Sequence, residues 1–132
     1  MEITIDSSIT SKIPGFKVGF IQYHHIEVGA SPQMLKGRLQ LFQESIFFDL
    51  HDKNVTEIEG IAAWRDIFKK TGKDPNRYRH SAEALFRRVK KQNYLTTINS
   101  SIDLNNFFSL QYEVPIGIYD RAQLKGDKIE IK

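Results

Sequence analysis

With 132 residues, no cysteine, 40% hydrophobic and 27% charged residues, and a net charge of +3, the sequence reads as one globular domain, 1–132, with a single core. These figures exclude a disulfide scaffold, thiolate zinc sites, a cysteine nucleophile and global disorder, and no apolar run approaches the roughly 20 residues that span a bilayer. Met1 to Ile9 has two acidic residues and no basic start, unlike a secretory signal, so a cytoplasmic setting without a membrane partner is expected.

Glu2 to Asp6 alternates Ile3 and Ile5 with polar residues, the pattern of a short half-buried strand. Pro14-Gly15 signals a turn, and Phe16 to Val28 is a β-rich run broken by Gly29-Ala30. Ser31-Pro32 reads as an N-cap with proline at the first helical position. Met34, Leu35, Leu39, Phe42 and Ile46 then predict a helix to about Phe48, although Gly37 inside it costs about 1 kcal/mol against alanine. His51 to Asn54 is loop-like. Thr56 and Glu59 have capping-box spacing before an apolar stripe of Ile58, Ile61, Trp64 and Phe68, and Gly72 closes that helix. Asp74-Pro75-Asn76 forms a turn. Ser81 is the expected N-cap of the next helix, whose buried face is Ala82, Leu85, Phe86 and Val89. After a short apolar connection, Leu95 to Ile98, either Asn99 or Ser100 caps a helix carrying Ile102, Phe107 and Leu110. Val114-Pro115 and Gly117 end regular structure, and Asp127 to Lys132 alternates like a strand. Strands around a run of helices, without regular β-α alternation, point to the α+β class.

Charge is concentrated. Ten basic and three acidic residues fall between Arg65 and Lys91, a local +7 that leaves −4 on the rest of the chain. Such a field suits a polyanion, with Arg77, Arg79, Arg87, Arg88, Lys90 and Lys91 as the phosphate-contacting candidates. Cations near helix C-termini also offset the negative end of the helix dipole, and that alternative stands beside the first. Arg77, Tyr78, Arg79 and His80 interleave aromatic and cationic groups in a turn, which either suits base stacking beside phosphates or is a surface turn with no partner. No phosphate-binding glycine loop, nucleophile elbow or zinc-protease helix is present. His24 and His25 would point to opposite faces of a strand, and Asp49, His51 and Asp52 read as a solvated loop, so neither a metal nor a cofactor is expected. Asp103 and Asn106, three residues apart near a helix start, either read a small polar ligand or satisfy free backbone donors.

Two stretches carry a family resemblance. Trp64-Arg65, Phe68, Gly72, Asp74-Pro75, Tyr78-Arg79, Ser81, Glu83-Ala84-Leu85 and Arg87-Arg88-Val89 resemble stand-alone relatives of the editing, tRNA-binding domain of the phenylalanyl-tRNA synthetase β subunit. Ile98-Asn99, Ile102-Asp103-Leu104, Asn106, Pro115, Tyr119-Asp120, Leu124, Gly126 and Ile129 are similar to the pattern shared with the synthetase itself. The resemblance implies a compact α+β module of layered sheet and helices, which in the synthetase hydrolyses tyrosine wrongly attached to the phenylalanine tRNA. It also implies that Asn106 lines the ligand pocket. The synthetase's Pro-Leu-His-Ala-Phe-Asp corresponds to Pro115-Ile116-Gly117-Ile118-Tyr119-Asp120, so Gly117 stands where the pocket histidine would be. A glycine leaves space there but no side-chain donor or proton acceptor.

Family members continue well past the strand at Ile129, and their later half supplies further pocket residues, including a glutamate. The expectation is therefore an N-terminal half of the editing-domain module, whose C-terminal strand edge is covered by a partner chain or by a second copy. Three functions follow in order: a module binding tRNA or an aminoacyl group, a protein-interaction or structural domain keeping the fold alone, and a hydrolase of mischarged tRNA. The ligand residues are Asn106, Asp103 and Gly117.

Overall fold

The computed structural model describes residues 1–132 and has the α+β architecture. In chain order the elements are β1 (Glu2–Ile5), a single turn α1 (Ser7–Thr10), α2 (Gln33–Asp49), a 3-10 turn (Val55–Glu57), α3 (Glu59–Lys70), α4 (Ser81–Lys90), α5 (Ser100–Tyr112), a second 3-10 turn (Arg121–Gln123) and β2 (Lys128–Ile131). The two strands, from opposite ends of the chain, form a parallel pair in which Ile3 faces Ile129 and Ile5 faces Ile131. Alternation thus puts isoleucines from both strands on one side of the pair. None of the helices is long and apolar enough to cross a membrane.

The core lies among the helices. Leu39, Ile46 and Leu50 of α2 and its end meet Val55, Ile61 of α3, Ala82, Phe86 and Val89 of α4, and Leu110 of α5. Phe42 and Phe107 pack at the edge of this cluster with ring centroids 5.1 Å apart. One fully buried polar group sits inside it. The Gln43 side chain accepts from the Leu95 N–H at 2.7 Å and donates to the Leu95 carbonyl at 3.4 Å, so the 95–98 connection is held against α2 with its backbone paired.

Four local expectations shift. Phe16 to Val28 is not a strand: between Lys17 and Val28 no backbone hydrogen bond links it to another segment, and Phe20, Ile21, Tyr23, Ile26 and Val28 are exposed. β-rich composition favours a pleated surface but supplies no neighbouring ladder. Pro32 occupies the N-cap position of α2, because Ser31 is buried and donates its hydroxyl to Asp103. His80, not Ser81, caps α4, its Nδ1 accepting from the Glu83 N–H at 3.3 Å. The reciprocal capping pair falls on Asn54 and Glu57, whose carboxylate accepts from the Asn54 N–H at 2.7 Å, so the 3-10 turn uses it and α3 starts uncapped by its own residues.

The free N-terminus of α3 is served from across the fold. Glu113, at the end of α5, adopts a left-handed φ of 57° and its Oε1 accepts from the Gly60 N–H at 2.9 Å. A carboxylate at a helix N-terminus is favourable, which offsets the strain of a non-glycine residue in that conformation. Gly60 is required by the approach, since a Cβ there would stand 2.4 Å from Glu113 Cβ and 2.5 Å from its carbonyl oxygen. Gly60→Ala is therefore expected to lower stability by about 1–3 kcal/mol, the range for an overpacked contact, seen as a lower denaturation midpoint at unchanged slope. An unchanged midpoint removes the α3–α5 clasp.

Candidate functional site

α4 forms because Ala82, Phe86 and Val89 repeat at helical spacing and bury one face, which turns its charged residues onto the flank beside α3. At the centre of that flank is Glu83, with no exposed surface. Arg65 of α3 approaches it at 2.9 Å, Arg87 one turn on at 2.8 Å, and Arg79 one turn before at 3.6 Å. Burial pushes the Glu83 carboxyl up, but the hydrogen bonds and charges of Arg87 and Arg65 outweigh it and hold its pKa below the usual carboxylate value. Arg65 also donates to the Pro75 carbonyl at 3.2 Å and bonds the Asn76 side chain, so the turn between α3 and α4 hangs on the same guanidinium.

The six expected phosphate-contacting cations divide accordingly. Arg79 and Arg87 are engaged with Glu83 while part of each side chain remains exposed. Arg88, Lys90 and Lys91 pair with no carboxylate, and Lys90 Nζ donates to the Lys53 carbonyl. Arg87, Lys90 and the C-cap Lys91 follow Glu83 at steps of three and four, so these three cations share one stripe of a helix about 15 Å long, while Arg79 reaches Glu83 from the turn before the cap His80. Beyond the N-terminal end of α4, Arg77 and Lys73 lie over the Tyr78 ring at 5.4 and 5.0 Å. That ring is half exposed and flanked by cations in a cation–π arrangement. The last-turn position of Arg87, Arg88 and Lys90 also satisfies the helix dipole, so both sequence-derived roles coexist.

The expected ligand residues are placed differently from one another. Asp103 is buried, and its carboxylate accepts from the Ser31 hydroxyl and from the Ile98 N–H at 3.0 Å, which fastens the α2 entry and the 95–98 connection to α5. Asn99 is the α5 cap, accepting from the Ile102 N–H at 3.0 Å. Asn106 is half-buried. Its neighbour Asn105 donates to the Ile116 carbonyl at 3.2 Å, so the segment leading into Gly117 is held against α5. The space expected at Gly117 is partly taken: a Cβ there would meet the Tyr119 ring at 3.2 Å.

Sequence reasoning missed Glu83 as the organising group and His80 as a cap. The Arg79-x3-Glu83-x3-Arg87 spacing was the available signal for the first; the part played by Arg65, on another helix, had none. Trp64 and Phe68 pack around the buried His80 ring, with centroids at 6.3 and 6.0 Å, and its Nε2 has no hydrogen-bond partner. Burial depresses the His80 pKa below 6.5 against the opposing charge of Glu83.

A family model for the B3/4 domain matches residues 63–132, which include all of α4 and α5 and every cation of the stripe. The chain is 38% identical over 124 residues to the uncharacterized protein YhzB of Bacillus subtilis (strain 168), taking in 94% of this chain and 60% of that protein. It thus spans about 60% of the length of the curated relative it matches. No solved structure matches the chain.

The His80 geometry generates a pH dependence. Nδ1 can cap α4 only while unprotonated, and the unfolded chain binds the imidazole proton more tightly than the folded one. Its contribution to stability is thus present above pH 6.5 and declines as pH falls from 6.5 through the lowered folded value. The Glu83 contribution is present above pH 4.5 and declines only below that. The thermal midpoint should drop between pH 7.5 and 5.5, and His80→Asn, which retains a capping side chain, should flatten that interval. An equal drop in the variant assigns the effect elsewhere.

Proposed function

The chain belongs to the B3/4 domain family, the domain found in the phenylalanyl-tRNA synthetase β subunit, and from that premise we propose that it is an RNA-binding module whose ligand is tRNA or an aminoacyl-tRNA. The observation that carries the reading is the stripe of Arg87, Lys90 and Lys91 along one flank of α4, joined by exposed Arg88, by Arg79 before the helix cap and by the Lys73–Tyr78–Arg77 cluster. Cations spaced along a rigid helix suit the regular charge of a phosphate backbone, and an exposed aromatic ring suits a stacked base. Aminoacyl recognition belongs to the half-buried Asn106 of α5. Asp103 contributes through position, because its carboxylate already holds Ser31 and Ile98. Deacylation of mischarged tRNA is the more demanding form of the same reading, since Gly117 offers no side-chain proton acceptor.

Phosphate contact has a thermodynamic signature. The logarithm of tRNA affinity should fall linearly with the logarithm of salt, by about 0.7–0.9 per phosphate neutralised. Arg88→Gln and Lys91→Gln together should lower both affinity and slope, whereas Lys36→Gln on α2 should change neither. An identical slope in the double variant takes the end of α4 out of the contact surface.

A second reading, a protein-interaction domain, is favoured by a separate observation. The extended segment from Val18 to Val28 exposes Phe20, Ile21, Tyr23 and Ile26, and both outer edges of the β1–β2 pair are unpaired. Strand edges and contiguous apolar surface are covered by another chain in many proteins. Light scattering should then detect dimers or larger species at high concentration, and charge placed at Ile21 should shift them toward monomer. A monomer at every concentration excludes self-association.

A further inference from the structure

We infer that the C-terminal end of α4 forms one wall of a seat for a single phosphate group, a site that deepens the RNA reading and rests on it. A cleft of about 440 Å³ lies between α4 and the 3-10 turn that precedes α3, lined by Arg87, Lys90 and Lys91 on one side and by Asn54, Val55 and Thr56 on the other. Its lining contains three cations and no carboxylate. Arg87, Lys90 and Lys91, at relative positions 0, 3 and 4, repel one another across this opening. The helix dipole accounts for cations near a C-terminus, but not for a facing wall that adds an amide and a hydroxyl.

The groups are also oriented. The buried Glu83 takes the Arg87 Nε at 2.8 Å and so fixes the guanidinium of a side chain that lines the cleft. Lys90 is drawn to the rim by the Lys53 carbonyl, and Lys91 is exposed. Buried Val55 packs the turn to the core and thereby sets the position of Asn54 and Thr56 opposite α4. A guanidinium fork, two ammonium groups and neutral donors provide directional hydrogen bonds for several oxygens of one tetrahedral anion. Asn54 and Thr56 lie outside the matched span 63–132, so this wall comes from the part of the chain that the family match does not cover.

The shared chemistry is a phosphate, from either a nucleic-acid chain end or its backbone. Titration of the full chain by calorimetry, with inorganic phosphate and with the 5′-phosphorylated and 5′-hydroxyl forms of one RNA oligonucleotide, tests the site. Lys91→Gln and Thr56→Val are the variants, with Lys36→Gln on α2 as the control outside the cleft and thermal midpoints confirming folding. Arg87 is left intact because its removal would also unpair Glu83. Inorganic phosphate should bind, and each cleft variant should weaken it by about tenfold, the order of one hydrogen bond to a charged group, while the control does not. Tighter binding of the 5′-phosphorylated RNA, abolished by Lys91→Gln, assigns the source to a chain end; equal binding of both forms, weakened alike, assigns it to the backbone. Phosphate that does not bind, or binds regardless of both variants, overturns the site, even if tRNA still binds with a salt slope that depends on Arg88. Cleft-dependent phosphate binding without any RNA binding keeps the site and removes the RNA reading.

Discussion

Glu83 is a carboxylate removed from water at the junction of α3 and α4, and the arrangement of both helices depends on how its charge is met. An ion in such a place is tolerable only when paired and fully hydrogen-bonded, because the interior returns little of the hydration it loses. Arg65 supplies the interhelical partner, while Arg87 from the next turn of α4 and Arg79 from the segment before its cap close over the same carboxylate. Arg65 is itself nearly buried and holds the Pro75 carbonyl, so one guanidinium ties together both helices and the turn between them. Apolar stripes alone would allow α3 and α4 to slide or rotate; a buried, directional pair selects one docking.

The same principle recurs at the other junctions. Gln43 pairs with the backbone of Leu95, Asp103 binds Ser31 and Ile98, and Glu113 reaches the first turn of α3. Each bond satisfies a polar group that would otherwise be stranded on burial, and each joins residues from different elements. The outer parts of the molecule have fewer such ties. Between Lys17 and Val28 the backbone is without interstrand bonds, and the Arg121 guanidinium against His24 at 3.0 Å, with Ser100 against Gly29, provides the attachments.

Positive charge in this domain therefore has two uses. Arg65 is internal, and Arg79 and Arg87 are shared between Glu83 and the surface, so the outward field comes from fewer groups than composition alone implies. What remains is ordered by the helix itself, with Arg88, Lys90 and Lys91 gathered at the last turn and C-cap of α4. The match to the B3/4 domain family runs through all of α4 and α5.

The helices of this protein follow from local chemistry: Ala82, Leu85, Phe86 and Val89 at helical spacing predict α4, Asn99 or Ser100 predicts the cap of α5, which the structure assigns to Asn99, and Ile3/Ile5 and Ile129/Ile131 predict two strands, because periodicity and capping involve neighbours in the chain. The basic bias of Arg65 to Lys91 was equally legible. Whether Phe16 to Val28 would be a strand was not, since a strand needs a partner that alternation cannot name. Only the tertiary structure decided that Arg65 is internal while Arg88 and Lys91 face outward, that His80 and not Ser81 caps α4, and that Asp103 is committed to Ser31 and Ile98. The physical reason is common to all of these: the energy of a buried polar group is set by which groups converge on it from distant parts of the chain, and sequence spacing carries no record of that convergence.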